Sequence, residues 1–366
     1  MIAYLFIIIL LLCLSLKFDF KGTTKKRDSW GYFALVLLIL LAGFRGDIGN
    51  DTIVYHRWYD FLSTNIGASI RDSRFEPLFV ICCCLAKSIG CSWLVVQLLI
   101  AAWINYYMFS FIRRYCSMLF LPLLLYFISM FYFLNCEELR GAIGFGFILM
   151  GLPYIEQKNY FKYFLMVLIG CGFHYGNALF IILPFIPNIF KSKILLVIVL
   201  GIGFIGANIL QARFGMYAML IDSFLGVDTV SSYADGDYID ASGKSIMNLI
   251  NIFITGVFFP LIAYLISKQG SKSLEKIFIF YIFCIIGSMA LPLFYRYNHQ
   301  LAIVGNVTLC LALSTALKAK KILPKFVVVL CLLISIYGSI STYLTYNSFL
   351  DGYFYENFIP YTIYGF

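Results

Sequence analysis

The sequence predicts an all-α, polytopic membrane protein, and two observations support that prediction. First, 62% of the 366 residues are hydrophobic and only 12% are charged, whereas soluble domains carry about 25% charged residues. Second, apolar runs of about 17–20 residues recur along the whole chain, and a helix of that length crosses a bilayer. No soluble domain of useful size fits between these runs. Residues 1–366 are therefore expected to form a single integral membrane domain.

The basic residues set the expected orientation of the spans. Much of the net charge of +9 comes from short clusters between the apolar runs. Such clusters mark cytoplasmic loops, so they do not indicate a nucleic-acid partner. They lie at residues 21–27, 191–193, 268–276 and 318–321. With these clusters inside, the chain is expected to have about twelve transmembrane helices, within a range of roughly ten to thirteen, and Met118–Leu134 is expected to be one of them.

Three segments are then expected on the outer side of the membrane. They are an external loop at 45–91, a long external loop at 211–245 and an external C-terminal tail at 347–366. Within the first, the stretch PLFVICCCLAKS has about 12 residues, too few to cross a bilayer. We therefore predict a re-entrant or interfacial helix near 77–89. This topology places nearly all the unusual polar residues outside, which indicates an external polar site.

The first candidate motif is FRGDIGNDTIVYHRWYDF, residues 44–61. Gly46 and Gly49 permit a tight turn there. Arg45 ends a span, where its long side chain could also simply anchor at lipid headgroups. The alternative to a functional site is thus an ordinary solvated loop.

Two further motifs bring carboxylates next to arginines. In R-F-E-P-L-F, Glu76 precedes Pro77, and capping of the following helix would alone explain a carboxylate there. In L-N-C-E-E-L-R-G, Glu137 and Arg140 are three residues apart and could pair along one helical face. Charges at a span boundary are costly unless they face water or one another, so both motifs are candidate site segments.

The remaining candidates contain histidine. His174, in G-F-H-Y-G-N, lies at an outward turn between two spans, although a lone histidine in an apolar segment is more often a satisfied core residue. The segment Y-R-Y-N-H at 295–299 closes a later outward span, where anchoring at the interface is the alternative to anion binding. The chain has three widely spaced histidines and no H-x-x-x-H pair, so neither a metal site nor another cofactor is expected.

Taken in order, these motifs resemble those of the EpsG-like branch of the Wzy polysaccharide (O-antigen) polymerases. The resemblance rests on F-R-G-D-I-G-N-D-x-x-x-Y after two N-terminal spans, E-P-L-F, the arginine of E-L-R-G-A-I-G, F-H-Y-G-N-A-L-F, a late span closed by arginine, and a tail containing N-F-I-P-Y. It covers nearly the full chain.

The resemblance implies a metal-independent, inverting glycosyltransferase with a GT-C-like architecture. Such an enzyme resides in the bacterial cytoplasmic (inner) membrane with its active site facing the periplasm or exterior. It transfers the growing glycan en bloc from undecaprenyl diphosphate to a new lipid-linked repeat unit. The implied partners are this lipid-linked donor and acceptor, the lipid bilayer and a possible chain-length regulator. The product would be O-antigen, capsule or exopolysaccharide.

The chemistry assigns expected roles to the candidates. Guanidinium groups suit a leaving diphosphate, so we expect Arg45, Arg140 and Arg296 to bind it. The acceptor hydroxyl needs a base, for which the candidates are Glu76, His174 and Glu137, with Asp47 and Asp51 as further possibilities. Contacts to sugar hydroxyls are expected from Asp47, Asp51, Tyr55, Arg74, Tyr297 and His299.

Two other functions remain open on the sequence. An O-antigen ligase uses the same donor but usually carries a dominant long external loop late in the chain. A flippase for lipid-linked oligosaccharides would spread its cationic residues along a central cavity at mid-membrane depth. Here the charges collect at outer span ends and the halves show no inverted repeat, which disfavours a transporter.

Overall fold

The structure is a computed structural model. It describes residues 2–187, 257–267, 271–290, 294–318, 322–345 and 361–363, with the short pieces 201, 206, 347–348 and 352–353. The loop expected at 211–245 lies outside the described residues. The chain divides into two compact units. The first contains residues 1–184, 270–274 and 353–366, and the second contains residues 185–269 and 275–352.

Among the described residues up to Pro184, the first unit contains nine α-helices and shorter helical turns. The α-helices are α1 (Ile2–Leu14), α2 (Arg27–Gly43), α3 (Asn50–Phe61), α4 (Ile66–Asp72), α5 (Pro77–Ser88), α6 (Trp93–Tyr115), α7 (Phe120–Ser129), α8 (Leu139–Glu156) and α9 (Tyr160–Phe173). Ser15–Phe20 and Phe133–Glu137 are π-helical, and the 3-10 helix Tyr175–Phe185 follows α9.

In the second unit, the described residues form α10 to α13 and two strands of two residues each. Their bounds are α10 (Phe259–Ser267), α11 (Lys272–Ala290, whose first residues belong to the first unit), α12 (Tyr295–Lys318), α13 (Ile322–Thr345), β1 (Asn347–Ser348) and β2 (Gly352–Tyr353). Helix α12 packs against α10 and α13.

Four stretches of the described chain are helical, long and apolar enough to cross a membrane. They are Ile2–Phe20, Trp93–Tyr115, Leu139–Glu156 and Tyr297–Lys318. The predicted class, an all-helical membrane protein with several spans, agrees with this finding. The full count of about twelve spans stays a prediction.

Two predicted elements differ from the structure in detail. The span expected at Met118–Leu134 is not one continuous α-helix, because α7 ends at Ser129 and the π-helical turn Phe133–Glu137 follows. The loop expected at 45–91 contains three helices, α3, α4 and α5. The last of these, Pro77–Ser88, corresponds to the helix predicted near 77–89, while its re-entrant placement stays a prediction.

One half-buried acid explains where α7 begins. The carboxylate of Asp19 accepts hydrogen bonds from the backbone N–H groups of Leu119 at 2.9 Å, Phe120 at 2.8 Å and Leu121 at 2.7 Å. The first N–H groups of a helix have no partner within it, and a negative charge there is favoured by the helix dipole. Asp19 therefore fixes α7 against the end of the first helical stretch.

Glycines bring the site-bearing helices into backbone contact. A Cβ on Gly144 of α8 would lie 2.6 Å from the carbonyl oxygen of Gly170 on α9. A Cβ on Gly172 would overlap the side chain of Leu78 on α5. Small residues allow such close approach between membrane helices. The start of α8, the end of α9 and the start of α5 consequently meet in one place.

Candidate active site

Glu76 lies at the point where these three helix ends meet. It is the residue before α5, yet its side chain makes no capping hydrogen bond to that helix. Its carboxylate is 5% exposed and instead contacts residues of α8 and the α9 terminus. The alternative that Glu76 merely caps α5 is therefore wrong.

Arg140 is the ion-pair partner of Glu76. Its Nη1 donates to Glu76 Oε2, and its Nε donates to the phenolic oxygen of Tyr55 on α3 at 3.0 Å. The guanidinium is 18% exposed, so it keeps one side toward the surface. A buried ion pair of this kind is retained only with good geometry and further hydrogen bonds, and Tyr55 supplies one.

His174 takes the second oxygen of the same carboxylate. Its Nδ1 lies 2.8 Å from Glu76 Oε1, which also accepts the backbone N–H of Tyr175 at 3.3 Å. A carboxylate acceptor favours the tautomer with hydrogen on Nδ1, which leaves the lone pair on Nε2. The imidazole is 28% exposed. His174 can thus accept a proton from a group that approaches from outside.

Asn177 holds the backbone of His174. Its main-chain N–H and its Nδ2 both donate to the carbonyl oxygen of His174, at 3.0 and 3.2 Å. Nδ2 also lies 3.3 Å from the carbonyl of Gly170 at the end of α9. The buried amide therefore fixes the turn in which His174 sits.

The pKa of Glu76 is lowered from its ordinary value. Burial raises the pKa, but the hydrogen bond from His174 and the charge of Arg140 lower it by more. Glu76 consequently stays ionised near neutral pH. A carboxylate held this way is a weak base, so among the predicted bases the geometry favours His174 oriented by Glu76.

Aromatic rings form one wall of this cluster. The Arg140 guanidinium carbon lies 4.5 Å from the centre of the Phe75 ring, and that of the exposed Arg74 lies 5.3 Å from the same ring. Tyr55 and Trp58 pack on Phe75 with ring centres 5.4 and 4.8 Å away. Two cationic groups thus share one aromatic neighbour, an arrangement suited to an anionic ligand.

The turn before α3 holds Arg45, but not as an exposed anchor. Arg45 is 2% exposed. Its Nη1 donates to the carbonyl of Ala42, and its Nη2 lies 3.4 Å from Thr52 Oγ1. The alternative that Arg45 anchors at lipid headgroups is therefore wrong, because its guanidinium is turned toward groups of α2 and α3.

The other predicted residues of this region lie in two neighbouring contacts. Asp47 and His56 are joined at 3.1 Å, and the His56 ring lies parallel to Trp93 at 6.1 Å between ring centres. Glu137 accepts the backbone N–H of Asp51 at 3.3 Å. These contacts lie beside the start of α3, whereas the carboxylate–guanidinium–imidazole cluster contains Tyr55, Glu76, Arg140 and His174.

The remaining three candidates belong to the second unit. Arg296, Tyr297 and His299 lie among the first five residues of α12. Tyr297 is buried and His299 is half-buried, while the side chain of Arg296 lies outside the described part.

Sequence reasoning missed Trp58, Phe75 and Asn177. Phe75 stands between two singled-out residues in R-F-E-P, but an aromatic residue beside a span is common and carries no signal of its own. Asn177 is the last residue of the motif G-F-H-Y-G-N. Its polar side chain, three positions after His174, was the only feature that could have indicated that it holds the His174 backbone.

The fold and the cluster together define a helical membrane protein with a polar site assembled from helix ends. Residues 29–363 match the EpsG family, so this chain belongs to the EpsG family and the predicted resemblance is confirmed. Membership indicates polysaccharide biosynthesis at a membrane and a polymerase-like function. No curated protein and no solved structure matches the chain.

Proposed function

We propose that this protein joins lipid-linked oligosaccharide repeat units into a longer glycan. The donor is the growing glycan on one undecaprenyl diphosphate, and the acceptor is a new repeat unit on a second undecaprenyl diphosphate molecule. The observation that carries the proposal is the Glu76 carboxylate, which contacts Arg140 with one oxygen and His174 with the other. This cluster offers a base beside a cation, which is what glycosyl transfer from a diphosphate requires.

His174 is the proposed base. The acceptor hydroxyl oxygen attacks the anomeric carbon of the donor, and its proton passes to Nε2 of His174. Glu76 holds Nδ1–H, so the imidazolium that forms is stabilised by an ionised carboxylate. Positioned bases of this kind contribute about 10²–10⁴-fold to rates.

Arg140 and Arg74 are the proposed partners of the diphosphate. As the bond between the anomeric carbon and the diphosphate oxygen breaks, the electron pair leaves with undecaprenyl diphosphate. Among the described contacts, Arg140 uses Nη1 for Glu76 and Nε for Tyr55, which leaves Nη2 to donate to a ligand. Arg74 is exposed and lies over the same Phe75 ring as Arg140. Preorganised donors for developing charge contribute roughly 10²–10³-fold each.

The other predicted residues take supporting places in this proposal. Arg45 is assigned to holding the turn before α3, because its side chain is buried. Arg296 stays a candidate diphosphate ligand, and Asp47, Asp51, Tyr297 and His299 stay candidate sugar contacts. The proposed architecture is GT-C-like, with about twelve spans in the bacterial inner membrane and the active site on the outer side of that membrane. The proposed reaction inverts the configuration at the anomeric carbon. A chain-length regulator is a proposed partner.

The test uses a host in which the gene is deleted and complemented with variants. Surface polysaccharide is run on a gel, and protein in the membrane fraction is quantified. We expect deletion to leave glycan with a single repeat unit and His174→Gln to insert normally without restoring the ladder. The matched control is His56→Gln, since His56 is also bonded to a carboxylate through Nδ1, and it should restore the ladder.

Two results would overturn the proposal. If no repeat unit reaches the surface in the deletion strain, the protein moves lipid-linked sugars rather than joining them. If repeat units are joined normally but the polymer is not attached to its final acceptor, the protein is a ligase.

A further inference from the structure

The segment Tyr361–Ile363 lies against the turn that follows α2, more than 300 residues earlier. The N–H of Gly46 donates to the carbonyl of Thr362 at 2.8 Å, and Arg45 pairs with Ile363 in an antiparallel bridge. The phenol of Tyr361 donates to the carbonyl of Leu41 at 2.9 Å. Its ring packs edge-on against Tyr4, with ring centres 5.7 Å apart. We call residues 361–363 the carboxy-terminal clasp.

Gly46 shows that the two segments are fitted to each other. Gly46 is not among the described glycines with a positive φ, so the backbone there would accept alanine. A Cβ at this position, however, would lie 2.6 Å from Oγ1 of Thr362 and 3.3 Å from its Cβ. Glycine is therefore needed at position 46 for space, and what fills that space is the clasp.

A short series of contacts leads from the clasp to the polar cluster. Arg45, bridged to Ile363, approaches Thr52 with Nη2 at 3.4 Å, and Thr52 Oγ1 donates to the carbonyl of Cys136 at 3.0 Å. Thr52 and Tyr55 are three residues apart in α3, so they share one face of the helix. Tyr55 accepts the hydrogen bond of Arg140. The clasp thus bears on the helix that orients the Arg140 guanidinium.

We propose that the carboxy-terminal clasp positions the turn at 41–49 and, through α3, the Tyr55–Arg140 contact of the candidate active site. Its residues touch neither Glu76 nor His174 among the described contacts, so they act through Arg45 and α3. The second test below rests on the proposed function, while the first is independent of it.

The first test measures amide hydrogen exchange in the full-length protein, purified in detergent. In the wild type, the peptide covering residues 41–48 should exchange slowly. Gly46→Ala should expel the clasp and speed exchange there about tenfold, the effect of losing one ordinary hydrogen bond. Adding Thr362→Gly removes the side chain that the new methyl group would meet, so the double variant should return toward wild-type exchange. Equal exchange in the wild type and Gly46→Ala overturns the proposal.

A matched control and a second variant make the result specific. Gly67→Ala places a methyl group on α4 with its nearest atom at 3.6 Å, and it should leave residues 41–48 unchanged. Tyr361→Ala weakens the clasp from its own side without crowding the turn. If the Gly46 variants fail to insert, faster exchange of residues 41–48 in Tyr361→Ala supports the clasp, and unchanged exchange overturns it.

The second test asks whether the clasp matters for chain extension. Gly46→Ala should lower the amount of long glycan at equal protein level, and Thr362→Gly in the same chain should restore it. The comparison at equal protein level separates this effect from a loss of folding. If exchange responds as described but glycan length does not, the clasp exists without positioning the site. If exchange responds and the deletion strain shows no polymerase defect at all, the proposed function fails instead.

Discussion

Glu76 Oε1 and His174 Nδ1 lie 2.8 Å apart, although 98 residues separate them in the chain. The contact links the residue before α5 to the residue after α9. Because the other oxygen of Glu76 faces Arg140, one carboxylate holds both the proposed base and the proposed diphosphate ligand.

Replacing Glu76 with glutamine should alter the response of stability to pH. The pKa of Glu76 is lower in the folded protein than in the unfolded chain, so its contribution is present above the unfolded value and lost as pH falls through the folded one. With an unfolded value of about 4.3, the loss should occur from about pH 5 downward. Thermal unfolding in detergent at one scan rate should show a steeper decline for the wild type than for Glu76→Gln over this range. Parallel curves would contradict the assignment.

Arg140→Lys should abolish most chain extension while keeping the charge. A lysine has one nitrogen and cannot donate to Glu76 and Tyr55 with fixed fork geometry while also facing a diphosphate. We expect roughly a 10²–10³-fold loss of rate. Arg140→Ala should in addition lower stability by about 3–5 kcal/mol, since it leaves the Glu76 carboxylate buried without its counter-charge. Glycan ladders at matched protein levels measure the first effect, and thermal unfolding measures the second.

Tyr55→Phe and Tyr59→Phe form a matched pair on α3. Both hydroxyl groups belong to buried tyrosines; Tyr55 bonds to Arg140 at 3.0 Å and Tyr59 to the carbonyl of Cys91 at 2.8 Å. Each change removes the hydrogen bond just named, worth about 0.5–1.5 kcal/mol for the neutral pair and about 1.5–3 kcal/mol for the charged one. Only Tyr55→Phe should shorten the glycan. Equal shortening by both variants would mean that α3 acts through its stability alone.

Gly49→Ala and Gly90→Ala compare backbone strain combined with steric overlap, at Gly49, with backbone strain alone, at Gly90. Both glycines have a positive φ, of 84° and 78°, which disfavours alanine. At Gly49 the ψ of 150° also places the backbone in a region that is essentially restricted to glycine, where alanine should cost about 1–3 kcal/mol. At Gly49 the new Cβ would also lie 2.8 Å from Oε1 of Glu137, whereas no atom lies within 4 Å at Gly90. Gly49→Ala should therefore be the more destabilising change in thermal unfolding. Equal effects in thermal unfolding would contradict this ranking.

Composition and run length were enough to predict the helical membrane class, because backbone groups in a bilayer must be bonded internally and an apolar run of about 20 residues achieves this within one helix. The helix at Pro77–Ser88 was also predictable, since its proline and its short apolar run mark both its start and its limited length. The interruption after Ser129 was not. Hydropathy continues through Met130 and Phe131 without change, and the break depends on packing that a sequence window does not contain.

The candidate site was predictable as a set of residues and not as a geometry. Glu76, Arg140 and His174 stood out because charge is costly beside apolar helices. Their mutual contacts depend on Gly144, Gly170 and Gly172, which let α8, α9 and α5 approach, and nothing in the sequence pairs those glycines. Arg45 could not be distinguished from Arg140 in the sequence, because both are arginines near the end of a predicted span. In the structure Arg45 is buried at 2% exposure, whereas the Arg140 side chain is 18% exposed.

The contact between Tyr361 and the carbonyl of Leu41 joins positions 320 residues apart. At synthesis rates of about 5–20 residues per second, the turn after α2 emerges roughly 16–64 seconds before its partner segment is made. During that interval Gly46 lacks its contact with Thr362, so the neighbouring helices can insert and pack before the conformation of the turn is fixed. This part of the molecule is consequently completed late in biogenesis, and a nascent chain stalled before residue 361 would have inserted helices but an incomplete turn after α2.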